Sequence, residues 1–362
     1  MNISFIPSDV AYLKNNFFNA NFSRDMVFEP FSVIKKELES HGHNVGTYDF
    51  LDKEIDIFIV TRIDIKLGIL LKLIKKNPLS KVIYLVTEER VICPIHNRKN
   101  LNSKLFDLVL TWDDSLVDQR YFFKCNYPNP IRIFNDNIQS SEKKLITMIN
   151  GYKKAKPGRK GELYTLRSEI AKCLSHYDGF DLYGVGWDQI NKIKNSNCFK
   201  GVAKSKLDVL CQYKFSIAIE NSSVELGGIS EKIFDSFGAG CIPIYLGAPN
   251  VTRYIPKECF IDYRDFSSPI QLYRYISTME ESEYIKYISA IKSFMRSKEY
   301  EAFNTKGFTK AILESVNYVS KNAATKGRDL KAVRIEWLWK YFSGIHQLWS
   351  NYRIPLHSLG IK

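Results

Sequence analysis

The sequence is poor in several features, and each scarcity narrows what the chain can be. Twelve prolines and 19 glycines in 362 residues are too few for a collagen-like or linker-type chain. Hydrophobic residues at 45%, with 14% aromatics, are too many for a disordered one. No apolar run approaches the ~20 residues of a membrane span. The N-terminus, Met1-Asn2-Ile3-Ser4-Phe5-Ile6-Pro7-Ser8-Asp9, lacks the basic-then-apolar order of a secretory signal. The expectation is a chain neither secreted by signal peptide nor membrane-spanning. The seven cysteines (Cys93, Cys125, Cys173, Cys198, Cys211, Cys241 and Cys259) are odd in number, and no two have C-x-x-C spacing. Several sit in apolar, strand-like runs, which reads as reduced, buried thiols of a cytosolic protein rather than a disulfide frame or a zinc knuckle. The six histidines are scattered, and His41-Gly42-His43 at a helix end does not have the spacing of a metal site.

What is present in excess is positive charge. Lys and Arg number 52 against 39 Asp and Glu, a formal +13, so an anionic partner or substrate is expected: nucleic acid, a lipid headgroup or a phosphorylated small molecule. No aromatic-basic platform or recognition motif for nucleic acid appears, which leaves the other two. At about 150 residues per domain the length implies two globular units. Short apolar runs alternate with amphipathic ones: Ile3 to Ile6, a helical pattern over Phe31 to His41, Ile55 to Val60, a helical pattern over Leu67 to Lys76, Lys81 to Val86, then Phe106 to Trp112. This alternation predicts a parallel sheet covered on both faces, with its ligand site at the carboxyl ends of the strands. A basic stretch, Lys153 to Gly161, reads as an exposed loop near a boundary. Beyond it the pattern resumes with a helix near Leu163 to Leu174, a strand near Asp181 to Tyr183 and another at Phe215 to Ile219. The predicted organisation is a doubly wound unit over 1–150, a second over 151–330, and a basic aromatic helical tail over 331–362. That tail, with Trp337, Trp339, Tyr341, Phe342 and Trp349 among cations, has two readings: a helix on a membrane surface or one docked on a domain.

The densest chemistry lies between Lys214 and Gly247. Strand-like Phe215 to Ile219 runs into Glu220-Asn221-Ser222-Ser223 and Gly227-Gly228, then a helix starting after Ser230 and stopping at Gly240, then strand-like Cys241 to Leu246. Ser230 is the expected cap. A helix starting there aims free N–H groups and a positive dipole end at the cleft, a place for a diphosphate. Lys232 in the first turn is a cation where the dipole disfavours one unless an anion offsets it. Glu231 beside it suits the vicinal hydroxyls of a ribose, since a carboxylate accepts two hydrogen bonds. Asp113-Asp114 after Trp112 has two readings, a metal-binding pair or a cap on a following helix.

Tyr213-Lys214-Phe215, Glu220-Asn221-Ser222, Ser230-Glu231-Lys232, Gly240 to Gly247 and Phe260 to Phe266 together resemble the signature of family 10 glycosyltransferases, the α-1,3/1,4-fucosyltransferases. The match is dense over Lys204 to Phe266. Weaker blocks lie upstream at Gly161 to Arg167, Leu182 to Trp187 and Phe106 to Trp112. The resemblance implies a GT-B fold of two Rossmann-like α/β domains facing across a cleft, the first binding a glycan acceptor and the second GDP-fucose. It implies an inverting reaction without a metal and without a tightly bound cofactor. It places Glu231 on the ribose and Lys232 on the diphosphate, Asn221, Ser222 and Ser230 along the nucleotide pocket, and Arg167 and Lys206 among the cations serving the phosphates. The general base falls at Glu88 or Glu89, with Glu88 preferred for its spacing to Pro94. Two positions depart from the family pattern: Gly228 stands where an aromatic is usual, and Val185 where relatives often carry a basic residue. They leave a different nucleotide-sugar donor as the alternative, beside a non-catalytic glycan-binding relative. The expected acceptor is an N-acetylglucosamine-containing surface polysaccharide or lipopolysaccharide. The expected location is the cytoplasm, peripheral to the inner face of the membrane through the tail.

Overall fold

The structure is a computed structural model that describes residues 1–51, 54–135, 139–155, 159–322 and 328–337. The first sheet is built from β1 (Asn2–Ile6), β2 (Asn44–Thr47), β3 (Ile57–Val60), β4 (Lys81–Leu85), β5 (Leu108–Thr111) and β6 (Phe122–Lys124). Its order is β2-β1-β3-β4-β5-β6, parallel throughout. The second sheet holds β7 (Lys144–Ile149), β8 (Phe180–Tyr183), β9 (Tyr213–Ile219), β10 (Ile242–Leu246) and β11 (Ile261–Asp262) in the order β11-β10-β9-β7-β8, again parallel. Both sheets are doubly wound, because helices follow most strands and cover both faces, and β3, β5 and β10 are buried along their whole length. This is why they read as continuous apolar runs rather than as alternation. Strands β2 and β6 went unread: Asn44–Thr47 and Phe122–Lys124 are short edge segments of mixed polarity.

The division between the domains differs from the expected one at both ends. Strand β7 pairs with β8 and β9, so the second domain takes in residues 144–149. At the other end, the helix Thr305–Asn322 returns to the first domain. Its residues Phe308, Ile312, Val316 and Val319 are buried with Phe31, Ile34 and Leu38 of the helix Glu29–Ser40, and the Phe31 and Phe308 rings meet edge-on at 5.3 Å. Spacings of three and four residues make such a stripe visible in a sequence, but the stripe does not say which core receives it. The start of the tail also docks: Val333 and Trp337 are buried with Phe106 and Leu105, and the Trp337 indole donates to Ser103 Oγ at 3.1 Å. The rest of the tail, 338–362, lies outside the described residues. No helix among the described residues is long and apolar enough to cross a membrane.

All seven cysteines are free. Between the domains, strands β4 and β9 direct their carboxyl ends at the same gap, and the loops that follow them carry the candidate site.

Candidate active site

The second domain contributes the end of β9 and the loop that follows it. Glu220, the first residue past the strand, is fully buried. Its Oε1 accepts from the Ser230 N–H at 2.7 Å, and its Oε2 from the Ser230 hydroxyl at 2.6 Å and Lys232 Nζ at 2.8 Å. The Lys232 amine also donates to Ser230 Oγ at 2.8 Å. Glu220 is thus the anion that offsets the misplaced first-turn cation, and it holds the start of the helix Glu231–Gly238 from beneath. Ser230 occupies the cap position, yet its side chain makes no cap hydrogen bond: the hydroxyl donates to Glu220 and its oxygen accepts from Lys232. Burial alone would lower the Lys232 amine, and the carboxylates of Glu220 and Glu231 outweigh it, so the amine is held above its ordinary range.

Glu231 lies on the other side of this amine, 3.9 Å from Lys232 Nζ and 3.4 Å from Lys206 Nζ. Burial would raise its carboxyl, but the two cations prevail and hold it well below the usual glutamate range. It stays an acceptor at any ordinary pH. Lys206 reaches Asp235 Oδ2 at 3.5 Å as well, so its charge is spent on two carboxylates. Its backbone N–H donates to Asp25 Oδ1 of the first domain at 2.9 Å, and Asp25 holds that position with a left-handed φ of 59°.

Arg167 is buried, and its Nε and Nη2 donate to Ile219 O at 3.1 and 2.6 Å, with Nη2 also donating to Asn221 Oδ1 at 2.9 Å. It fixes the end of β9 and orients Asn221, acting on the nucleotide loop from behind. Ser222 is buried too, and its hydroxyl accepts from Val224 N–H at 3.4 Å, a contact inside the loop itself. Of the residues expected to serve the donor, Glu231 and Lys232 lie 3.9 Å apart, Lys206 pairs with Glu231, Ser230 bridges Lys232 and Glu220, Arg167 holds Asn221, and Ser222 is buried within its own loop.

From the first domain come Glu88 and Glu89, in the loop after β4. The structure separates them. Glu88 is one-third exposed at its side chain and lies 3.7 Å from Arg62 Nη1; burial raises its carboxyl, against Arg62, Lys153 and Lys232. Glu89 is 2% exposed, and its Oε2 is buried without a hydrogen-bond partner among the described residues. Burial pushes this carboxyl well up, the negative charge of Glu220 adds to the rise, and Lys232 opposes it. From the basic stretch, Lys153 bears on the Glu88 carboxylate; Lys156, Pro157 and Gly158 lie outside the described residues.

The donor loop is pinned to the first domain. Asp114 Oδ1 accepts from Lys124 Nζ at 2.8 Å and Tyr254 OH at 2.5 Å, its Oδ2 accepts from Asn250 Nδ2 at 2.7 Å, and its N–H donates to Leu226 O at 3.1 Å. Asp113 accepts from the Ser115 N–H and hydroxyl at 2.9 and 2.6 Å and faces Arg90 at 3.3 Å. The cap reading of this pair fails because a turn, not a helix, follows; both carboxylates are instead engaged by side-chain and backbone donors. At Gly227, with φ +74°, a Cβ would sit 2.6 Å from Trp112 O and 2.8 Å from Lys124 Nζ. Gly227→Ala is expected to cost about 1–2 kcal/mol from the left-handed backbone alone, lowering the thermal midpoint and the affinity for nucleotide together. Beside it, a Cβ at Gly228 would lie 3.5 Å from Trp112 Nε1, so the indole of the first domain edges the space that an aromatic at 228 would fill. Glu220 and Trp112 are not among the residues the sequence singles out for the site; for Glu220 a signal exists, a charge directly ending an apolar strand.

Two α/β domains, each built on a parallel sheet, with the carboxyl ends of facing strands at a shared gap, have the GT-B architecture. Residues 158–330, a little under half of the chain, match the model for the glycosyltransferase family 10 (fucosyltransferase) C-terminal domain. Among curated proteins, mouse 4-galactosyl-N-acetylglucosaminide 3-alpha-L-fucosyltransferase 9 is 26% identical over 224 residues, 60% of this chain and 55% of that protein. The chain thus spans about half the length of the curated relatives it matches. Among solved structures, an alpha1,3-fucosyltransferase aligns with a TM-score of 0.56 at 14% identity, covering 91% of this chain and 92% of that one. The same title with GDP aligns at 0.54 and 14%, covering 90% and 91%. Anabaena HepE in complex with UDP-glucose aligns at 0.56 and 10%, covering 88% and 100%. At these identities the structures establish the fold alone.

Proposed function

We propose that the protein transfers fucose from GDP-fucose to a hydroxyl of a glycan acceptor with inversion at the anomeric carbon, using Glu89 as general base. The observation that carries this reading is a buried carboxylate on the first domain whose Oε2 has no hydrogen-bond partner among the described residues, in the same field as Lys232 and Glu220 on the second. In the step, Glu89 takes the acceptor hydroxyl proton as that oxygen forms its bond to the anomeric carbon. The bond from that carbon to the β-phosphate oxygen breaks on the opposite face, and GDP leaves with the electron pair. Lys232 and the free N–H groups at the start of the helix Glu231–Gly238 stabilise the growing charge of the leaving group, so the chemical step needs no metal. Glu231 accepts from the ribose hydroxyls, and Asn221 lines the nucleotide pocket. The family match and the nucleotide complexes of the structural neighbours support a nucleotide-sugar donor. The acceptor is proposed to be an N-acetylglucosamine-containing surface polysaccharide or lipopolysaccharide. The +13 charge supports a cytoplasmic enzyme working next to an anionic membrane surface.

A panel of nucleotide sugars tests the donor by thermal shift and slow hydrolysis. A response to GDP-fucose alone supports the reading, and preference for a UDP sugar overturns it. Lys232→Gln keeps a donor for Glu220 but removes the charge. It is expected to weaken GDP binding by about 10- to 100-fold, the ~1.5–3 kcal/mol of a hydrogen bond to a charged group, as read by titration calorimetry.

A further inference from the structure

The loop between Asn221 and Lys232 also reaches across the cleft to the backbone of Glu89. Glu225, 3% exposed, belongs to this loop. Its Oε1 accepts from the Arg90 N–H at 2.6 Å and lies 3.5 Å from Arg90 Nε. The peptide it grips is the one that joins Glu89 to Arg90. The carbonyl of that same peptide, Glu89 O, accepts from the N–H groups of Ile92 at 2.9 Å and Cys93 at 2.8 Å. One end of the peptide is therefore fixed by the first domain's own turn and the other by a side chain of the second domain. Two further bonds keep Glu225 from drifting: its neighbour Leu226 accepts from Asp114 N–H at 3.1 Å, and Gly227 N–H donates to Asn250 Oδ1 at 2.8 Å.

We propose that Glu225 is a positioning residue that couples the donor loop to the general base, setting the Glu89 carboxylate against the donor when the two domains are joined; this rests on the assignment of Glu89 as the base. The physical need is geometric. A base acts only within hydrogen-bond reach of the proton it removes, Glu89 and the donor sit on different domains, and a misplacement of ~1 Å costs up to about 100-fold in rate. A contact that ties the Glu89 backbone to the loop carrying Asn221 makes that distance independent of small interdomain shifts. Burial pushes the Glu225 carboxyl up to about 7, with Arg90 pulling it down and Asp113 adding to the rise. Glu89 shares the same field.

The test uses the full chain and GDP-fucose hydrolysis, which needs no identified acceptor. Glu225→Ala is expected to lower kcat about 10- to 100-fold with donor KM within threefold of wild type. Glu225→Gln, which keeps an oxygen to accept from Arg90 N–H, is expected to recover most of that loss. A general loss of folding would not be rescued in this way, and it would move KM with kcat. Wild-type kcat in Glu225→Ala, or a glutamine variant no better than alanine, overturns the positioning role. Glu89→Gln, measured alongside, separates the two ideas. Full turnover in that variant overturns the base assignment itself, whereas an inactive Glu89→Gln beside a fully active Glu225→Ala overturns only the coupling.

Discussion

Glu89→Gln is expected to lower turnover of GDP-fucose by about 10²- to 10⁴-fold, the span that a positioned general base contributes, while GDP affinity stays close to wild type. Affinity survives because the buried Oε2 of Glu89 has no hydrogen-bond partner among the described residues to lose. Replacement of a raised carboxyl by a neutral amide also removes a buried charge, so folding is not expected to suffer. Glu88→Gln is the control. Its carboxylate is one-third exposed beside Arg62, and its loss is expected to change kcat less than tenfold. The pH dependence follows from the direction of the Glu89 shift. A base must be ionised to accept a proton, so activity falls as pH drops through its folded-state pKa. Burial and the neighbouring Glu220 raise that pKa well above the ordinary glutamate value, so the acid limb lies at higher pH than an exposed glutamate would give. A pH profile of kcat with its acid limb in the ordinary glutamate range would remove Glu89 as the base, and a fully active Glu89→Gln would move the role to Glu88.

Much of this arrangement was legible in the residues, and what escaped did so for identifiable reasons. The alternation of Lys81 to Val86, Phe215 to Ile219 and Cys241 to Leu246 with amphipathic runs gave the parallel sheets, because strands buried on both faces are unbroken apolar runs. Glu231 and Lys232 were readable because a lysine in a first helical turn opposes the dipole. The support beneath them was not. The family resemblance puts Arg167 among the cations serving the phosphates, yet in the fold its guanidinium donates to the carbonyl of Ile219, and no spacing rule says which way a helical arginine points. Lys206 is in the same position, committed to Glu231 and Asp235. The choice between Glu88 and Glu89 turned on burial, which two adjacent glutamates in a loop do not reveal. The return of the helix Thr305–Asn322 to the first domain is a long-range event, set by the match of its stripe to the helix Glu29–Ser40.

Glu220→Ala is expected to be the most damaging single change for the fold of the second domain, at about 3–5 kcal/mol, the cost of breaking a buried ion pair by removing one partner. Three donors converge on this carboxylate: the Ser230 N–H, the Ser230 hydroxyl and the Lys232 amine. Truncation leaves the amine, 16% exposed, with Glu231 at 3.9 Å and the more distant Glu89 as acidic neighbours. It also removes the acceptor that fixes the first turn of the helix Glu231–Gly238, so Glu231 and Lys232 lose their placement together. The space cannot be refilled from the neighbouring strand, because Gly247 abuts Glu220 so closely that a Cβ there would lie 2.4 Å from Glu220 Cγ. For a domain of this size each kcal/mol moves the midpoint by about 2–4 °C, so thermal unfolding followed by circular dichroism is expected to shift down by about 6–20 °C, with GDP no longer raising the midpoint. Glu220→Gln keeps one carbonyl oxygen for the Ser230 N–H but turns an amide N–H₂ towards Lys232, and is expected to fall between wild type and alanine. A Glu220→Ala protein that melts within 2 °C of wild type and still binds GDP would mean that Lys232 is held by the helix alone, and the buried pair would then have no part in building the donor site.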